Sequence, residues 1–77
     1  MRIDQHKYDL VRARNNICNR DIATAADMSI TWVTAMNTRI KRGANMLPRT
    51  VGQIAAAIGC RIEDIISNDD GGKNNDG

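Results

Sequence analysis

At 77 residues, the chain has room for one compact domain that buries only about 60% of its extended-chain surface, which excludes a multidomain architecture. One tryptophan (Trp32), one tyrosine (Tyr8) and no phenylalanine leave a core of Ile, Leu, Val, Met and Ala, which suits close-packed helices better than a β-sandwich. The net charge of +2 divides into +4 for residues 1–66, where ten Lys/Arg face six Asp/Glu, and −2 for residues 67–77.

In chain order, a first helix is expected from near Asp4, with Ile3 as a staple ahead of it and Leu10, Val11 and Arg14 stacking at helical spacing until the Asn15-Asn16 pair ends it. Cys18 then serves as a weak cap for a second helix over 19–26, whose apolar positions Ile22, Ala23 and Ala26 share one face. Asp27-Met28-Ser29 breaks the pattern. Ser29 is a good N-cap for a third helix over about 29–40, with Val33, Met36 and Ile40 as its buried stripe.

Lys41 to Leu47 reads as a polar, basic loop, and Pro48 opens a fourth helix with Val51, Ile54, Ala55 and Ile58 on its apolar face. Gly59 supplies the left-handed residue that commonly closes a helix. Arg61 to Ile66 is expected to form a short fifth helix. From Ser67 onward there is no apolar residue, so 67–77 is expected to be a disordered polar tail on a helical domain of residues 1–66.

Between Met28 and Ile62 the chain carries Arg39, Lys41, Arg42, Arg49 and Arg61 and no acidic side chain, a local positive field suited to a phosphate backbone. Cys18 and Cys60 have apolar neighbours and are expected to be small buried hydrophobes rather than a disulfide. Apolar runs are too short to span a membrane, and with no signal peptide the expected location is cytoplasmic. His6 is the only histidine and reads as a surface residue. No glycine-rich phosphate loop or ligand-spaced Cys/His/carboxylate cluster is present, so neither an enzyme nor a cofactor or metal is expected.

The informative stretch is 19–37, two short helices joined by a tight turn. Ala23 is small where the helices must approach closely, while Met28 and Val33 are expected to seal the pair from below. The run Cys18-Asn19-Arg20-Asp21-Ile22-Ala23-Thr24-Ala25-Ala26-Asp27-Met28-Ser29-Ile30-Thr31-Trp32-Val33 resembles the pattern S-Q-x-x-L-A-x-x-x-G-V-S-x-x-x-I of the lambda-repressor/Cro (XRE-type) helix-turn-helix family. The segment from Val51 to Ile66 is similar, without a gap, to that family's closing L-x-x-L-A-x-A-L-G-V-S-x-x-x-L-L. Three departures are Asp27 where the family has glycine, Asn19 where it has glutamine, and a longer loop between the third and fourth helices.

The resemblance implies an all-α, five-helix DNA-binding domain of a small prokaryotic or phage transcriptional regulator, most simply a repressor, that places its third helix in the major groove of double-stranded DNA. Helical periodicity turns Thr31, Ala35, Thr38 and Arg42 away from the buried stripe, with Thr34, Arg39 and Trp32 flanking them. Expected base contacts are Thr31, Trp32, Thr34, Ala35 and Ile30; Trp32 reads equally as a packing residue and Ile30 as a flank of the second helix. Expected backbone contacts are Asn19, Ser29, Thr38, Arg39, Lys41, Arg42, Arg49 and Thr50. A symmetric homodimer through the fourth and fifth helices is expected from an apparent surplus of isoleucine at 54, 58, 62, 65 and 66. The competing reading is a protein-interaction module, or an antitoxin-like partner protein, on the same scaffold, and a regulatory protein partner is compatible with either.

Overall fold

The computed structural model describes residues 1–67; the segment expected to form a polar tail lies, beyond Ser67, outside them. Four α-helices follow one another as α1 (Gln5–Asn15), α2 (Asn19–Ala26), α3 (Ile30–Lys41) and α4 (Pro48–Ile58), and a 3₁₀ turn (Ile62–Asp64) follows α4. Each boundary has a local chemical cause. The Asp4 side chain accepts from Lys7 N at 3.0 Å to start α1, and Ser29 does the same for Trp32 N at 3.1 Å to start α3. Cys18 opens α2 with its backbone N–H donating to Asp21 Oδ2 at 3.0 Å. That bond holds the Asp21 carboxyl below its ordinary pKa. Pro48 occupies the first turn of α4, where a missing N–H costs nothing.

Helices α1, α2 and α4 end on left-handed residues, Asn16 (φ 55°), Asp27 (φ 56°) and Gly59 (φ 78°), while α3 ends on a right-handed Arg42. Asp27 holds the turn between α2 and α3, where Met28 N donates back to Ala23 O at 2.9 Å. An L side chain there crowds its own carbonyl, which glycine does not. Asp27→Gly is therefore expected to raise stability by about 0.5–1 kcal/mol and Asp27→Val to lower it by a similar amount or more, as read by urea denaturation.

The amphipathic α4 is the centre of the core, packing chiefly on α2 and also on α1 and the 3₁₀ turn. Val51, Ile54, Ala55 and Ile58, its expected apolar face, are all buried. Around them lie Ile3, Tyr8, Val11, Ile22, Ala23, Val33, Ile40, Met46 and Ile65. Fully burying a Val or Ile side chain contributes roughly 1.5–3 kcal/mol. Two side-chain amides join the helix ends: Asn15 Nδ2 donates to Ile58 O (3.0 Å) and Gln53 Nε2 to Ala26 O (3.3 Å).

Several expectations need correction. The fifth helix is only the 3₁₀ turn. The chain must become extended at Ile66, which forms an antiparallel bridge with Ile3, and the Asp4 N–H to Ile65 O (2.8 Å) and Ser67 N–H to Arg2 O (2.9 Å) bonds flank that bridge. A 3₁₀ turn eclipses residues three apart, which keeps Ile62 and Ile65 on one side.

On α1 it is Tyr8 and Val11 that are buried, while Leu10 is 48% exposed. Met28 does not seal the α2–α3 pair: it follows the left-handed turn at 39% exposure, while Ala23 and Val33 are buried. Cys18 is exposed because it stands outside the first turn of α2, Cys60 is half-buried, and both are free thiols. Met46, expected in a polar loop, is buried, drawn in by its N–H bond to Met1 O (2.6 Å). Of the five isoleucines read as a surplus, Ile54, Ile58 and Ile65 are core residues, and Ile62 and Ile66 pack half-buried against that core. Among the described residues, no helix is long and apolar enough to cross a membrane.

Candidate nucleic-acid interface

A helix of 3.6 residues per turn distributes the twelve residues of α3 into two sectors. Val33 and Ile40 are buried, and Met36 and Asn37 half-buried beside them. The opposite sector presents Ile30, Thr31, Thr34, Ala35 and Thr38, all exposed, and Arg39, Lys41 and Arg42 continue it.

The threonines on this face are not equivalent. Thr34 Oγ1 donates to Ile30 O and Thr38 Oγ1 to Thr34 O, each at 3.1 Å. Their hydroxyl protons are used within the helix, so outward they offer acceptor lone pairs and methyl groups. The Thr31 side chain bonds to nothing among the described residues and can either donate or accept. Ala35 adds a methyl surface.

Trp32 is half-buried and lines a groove of about 200 Å³ between α3 and the start of α4, with Met36, Arg39, Met46, Leu47 and Thr50. Ser29 is exposed, but its hydroxyl oxygen is committed to capping α3. Arg49 is exposed and Thr50 half-buried in the first turn of α4, which has no side-chain cap, so the N–H groups there remain open to an anion.

Sequence reasoning missed the polar network beneath this face. Tyr8 Oη donates to Asn37 Oδ1 at 2.6 Å, Asn37 Nδ2 donates to Asn19 Oδ1 at 3.0 Å, and Arg12 Nη2 reaches the same Asn19 oxygen at 3.0 Å. Arg12 also donates from Nε to Ile17 O (3.3 Å) and stacks over the Tyr8 ring at 5.4 Å. Burial raises the Tyr8 pKa, and the nearby Arg12 cation partly offsets that.

The network ties α1, the start of α2 and the middle of α3 into one unit. It fixes the Asn19 side chain with its oxygen inward, so that its amide N–H groups are left to donate outward. The available signal was Asn37, a polar residue four after Val33 and three before Ile40, on the buried stripe.

No family model, curated protein or solved structure matches the chain. What this face can bind is therefore decided by its own chemistry. It combines methyl groups, hydroxyl oxygens and a cationic border, and Lys41, Arg42 and Arg49 pair with no carboxylate among the described residues.

Removing one hydroxyl tests the role of the network. Tyr8→Phe strands Asn37 Oδ1 at a part-buried site, and an unsatisfied buried acceptor costs about 1–3 kcal/mol. The expected result in thermal melting is a lower midpoint with the fold retained. An unchanged midpoint would show that the 2.6 Å bond contributes nothing.

Proposed function

We propose that the chain binds double-stranded DNA in a sequence-dependent way, as a helix-turn-helix regulator of the lambda-repressor/Cro type, with α3 in the major groove and a repressor's mode of action by occlusion. The observation that carries this reading is an exposed, acid-free α3 face bordered by Lys41, Arg42 and Arg49, which pair with no carboxylate among the described residues. The short α2, the three-residue break at 27–29 and the small Ala23 between α2 and α3 supply the frame such a motif uses.

On this reading Thr31, Thr34 and Ala35 meet base edges, the methyl groups facing thymine methyls and the hydroxyl oxygens accepting from adenine N6 or cytosine N4 amino groups. Ile30 and Trp32 flank them with apolar surface. Arg39, Lys41, Arg42 and Arg49 hold phosphates together with the amide of Asn19, the N-terminal turn of α3 at Ser29, the side chain of Thr38, and the first turn of α4 at Thr50. No residue early in α3 offers the two-bonded contact of Arg to guanine or Gln to adenine, so part of the selectivity comes from the shape and deformability of the duplex.

One observation favours a second reading, a protein-interaction module. Leu47 is 68% exposed at the mouth of the Trp32 groove, an apolar feature that base reading does not require.

The two readings separate in one experiment, in which Thr31→Ala, Thr34→Ala and Ala35→Gln are tested against a panel of duplexes. As base-reading positions, each is expected to change the preferred base at one place in the site by about 5- to 150-fold, the equivalent of 1–3 kcal/mol, while leaving the salt dependence of binding unchanged. Retention of a parent preference by all three variants would move base reading off the α3 face, and the absence of any duplex preference in the parent chain would transfer the function to the protein-binding reading.

A further inference from the structure

A second concave surface lies between the start of α1 and the end of α3, a groove of about 580 Å³. Its lining carries three exposed cations, Arg2, Lys41 and Arg42, and none of them pairs with a carboxylate among the described residues. Asp4 and Asp9 also line it, but Asp4 is committed to the Lys7 N–H that starts α1, at 3.0 Å. Three cations against two carboxylates leave the groove with one positive charge in excess. Ser67 lines the same groove, half-buried, with its N–H donating to Arg2 O at 2.9 Å. The chain therefore leaves the described fold inside a cationic groove, and the next residues in sequence are Asn68, Asp69 and Asp70.

We propose that Asp69 and Asp70 seat in this groove against Arg2, Lys41 and Arg42, as an internal substitute for DNA phosphates that competes with them. An extended chain spans at most about 3.3–3.6 Å per residue, so the two carboxylates lie within roughly 7–11 Å of Ser67. That reach suffices for a groove that Ser67 itself lines. Beyond Ser67, Lys73 is the one cation against Asp69, Asp70 and Asp76, so the charge of the segment is opposite to that of the groove. Tethering gives its carboxylates an effective concentration on the order of millimolar. A separate acidic protein competes with them only when it is itself that concentrated, so the occupant is the chain's own segment.

This inference rests on the DNA-binding reading, in which Lys41 and Arg42 hold phosphates. Thr31, Thr34 and Ala35 do not line the groove, and phosphate contacts carry no sequence information. The seated segment therefore lowers affinity for every duplex alike and leaves the preferred bases as they are. Its effect is greatest at low salt, where charges are least screened and binding without sequence preference is tightest.

Two measurements on the full chain test the proposal. Carbodiimide coupling without DNA is expected to join Lys41 Nζ to Asp69 or Asp70, as read by peptide mass spectrometry. Mixing unlabelled and isotope-labelled chains tells a link within one chain from a link between two. The Asp69→Asn, Asp70→Asn double variant is expected to bind duplex DNA about 3- to 10-fold more tightly than the parent at low salt. The gain should be equal for unrelated duplexes and should vanish near 1 M salt, where the Debye length falls to about 3 Å.

Absence of the Lys41 link within one chain, or equal affinity of the two proteins for duplex DNA at low salt, overturns the proposal. A gain confined to one duplex sequence also overturns it, because phosphate competition acts on all alike. A Lys41 link in a chain that binds no duplex supports the seated segment and sinks the DNA reading instead.

Discussion

Replacing Arg39, Lys41 and Arg42 together with alanine is expected to lower affinity for duplex DNA by about 100-fold at physiological salt. Each phosphate contact contributes about 0.9 to the slope of log K against log salt, so three lost contacts reduce the slope by about 2.7, which at 0.15 M is roughly two orders of magnitude. All three side chains are exposed at the C-terminal end of α3 and its cap. Arg39 makes only a long 3.4 Å bond to Asn45 O, so little folding energy is lost with it. Binding should be measured at several salt concentrations by fluorescence anisotropy. Reduced affinity with an unchanged salt slope would mean that the three residues support the fold rather than meet phosphates.

The largest stability effect is expected at Ile65. This residue is fully buried just beyond the 3₁₀ turn, and its carbonyl accepts the Asp4 N–H at 2.8 Å. It anchors the pairing of the two chain ends to the core built on α4. Ile→Ala in a close-packed site costs about 2–5 kcal/mol through lost transfer energy and the cavity left behind. A domain of this size has a total stability on the order of 3–10 kcal/mol, so Ile65→Ala removes a large share of it. The melting midpoint should fall by about 10–30 °C. Leu47→Ala at a 68% exposed position should change stability by no more than about 0.5 kcal/mol. Similar losses in the two variants would contradict the burial pattern described here.

Much of the helical framework was legible from local chemistry. Ser29, Pro48 and Gly59 have roles set by their own side chains or φ preference, and their helix ends fall where they indicate. The apolar periodicity of α4 is regular enough that all four expected core residues are buried. The remainder depended on contacts distant in sequence. Residues 61–66 carry a helical pattern, but the bridge from Ile66 to Ile3 across the fold extends the chain, and only a 3₁₀ turn fits before it. Leu10 and Met28 are apolar enough for the core, yet Tyr8 and Val11 fill the buried side of α1, and Ala23 and Val33 are the buried residues of the α2–α3 pair.

The exposed side of α3 follows from its 3.6-residue period, so Thr31, Thr34 and Ala35 are legible from the sequence alone. The support beneath it was hidden, because Tyr8, Arg12, Asn19 and Asn37 lie on three different helices. Only their packing brings them within hydrogen-bond distance. That network also changes the chemistry expected of Asn19, whose oxygen turns inward and whose amide alone remains to meet a ligand.

The central claim is sequence-dependent binding of duplex DNA through α3. Selection from a pool of random duplexes at moderate salt, followed by sequencing, tests it most directly, with the Arg39/Lys41/Arg42 alanine variant run in parallel. The account predicts enrichment of a short motif by the parent chain and loss of enrichment in the variant. Recovery of an unenriched pool, or salt-sensitive retention without sequence preference, would contradict it.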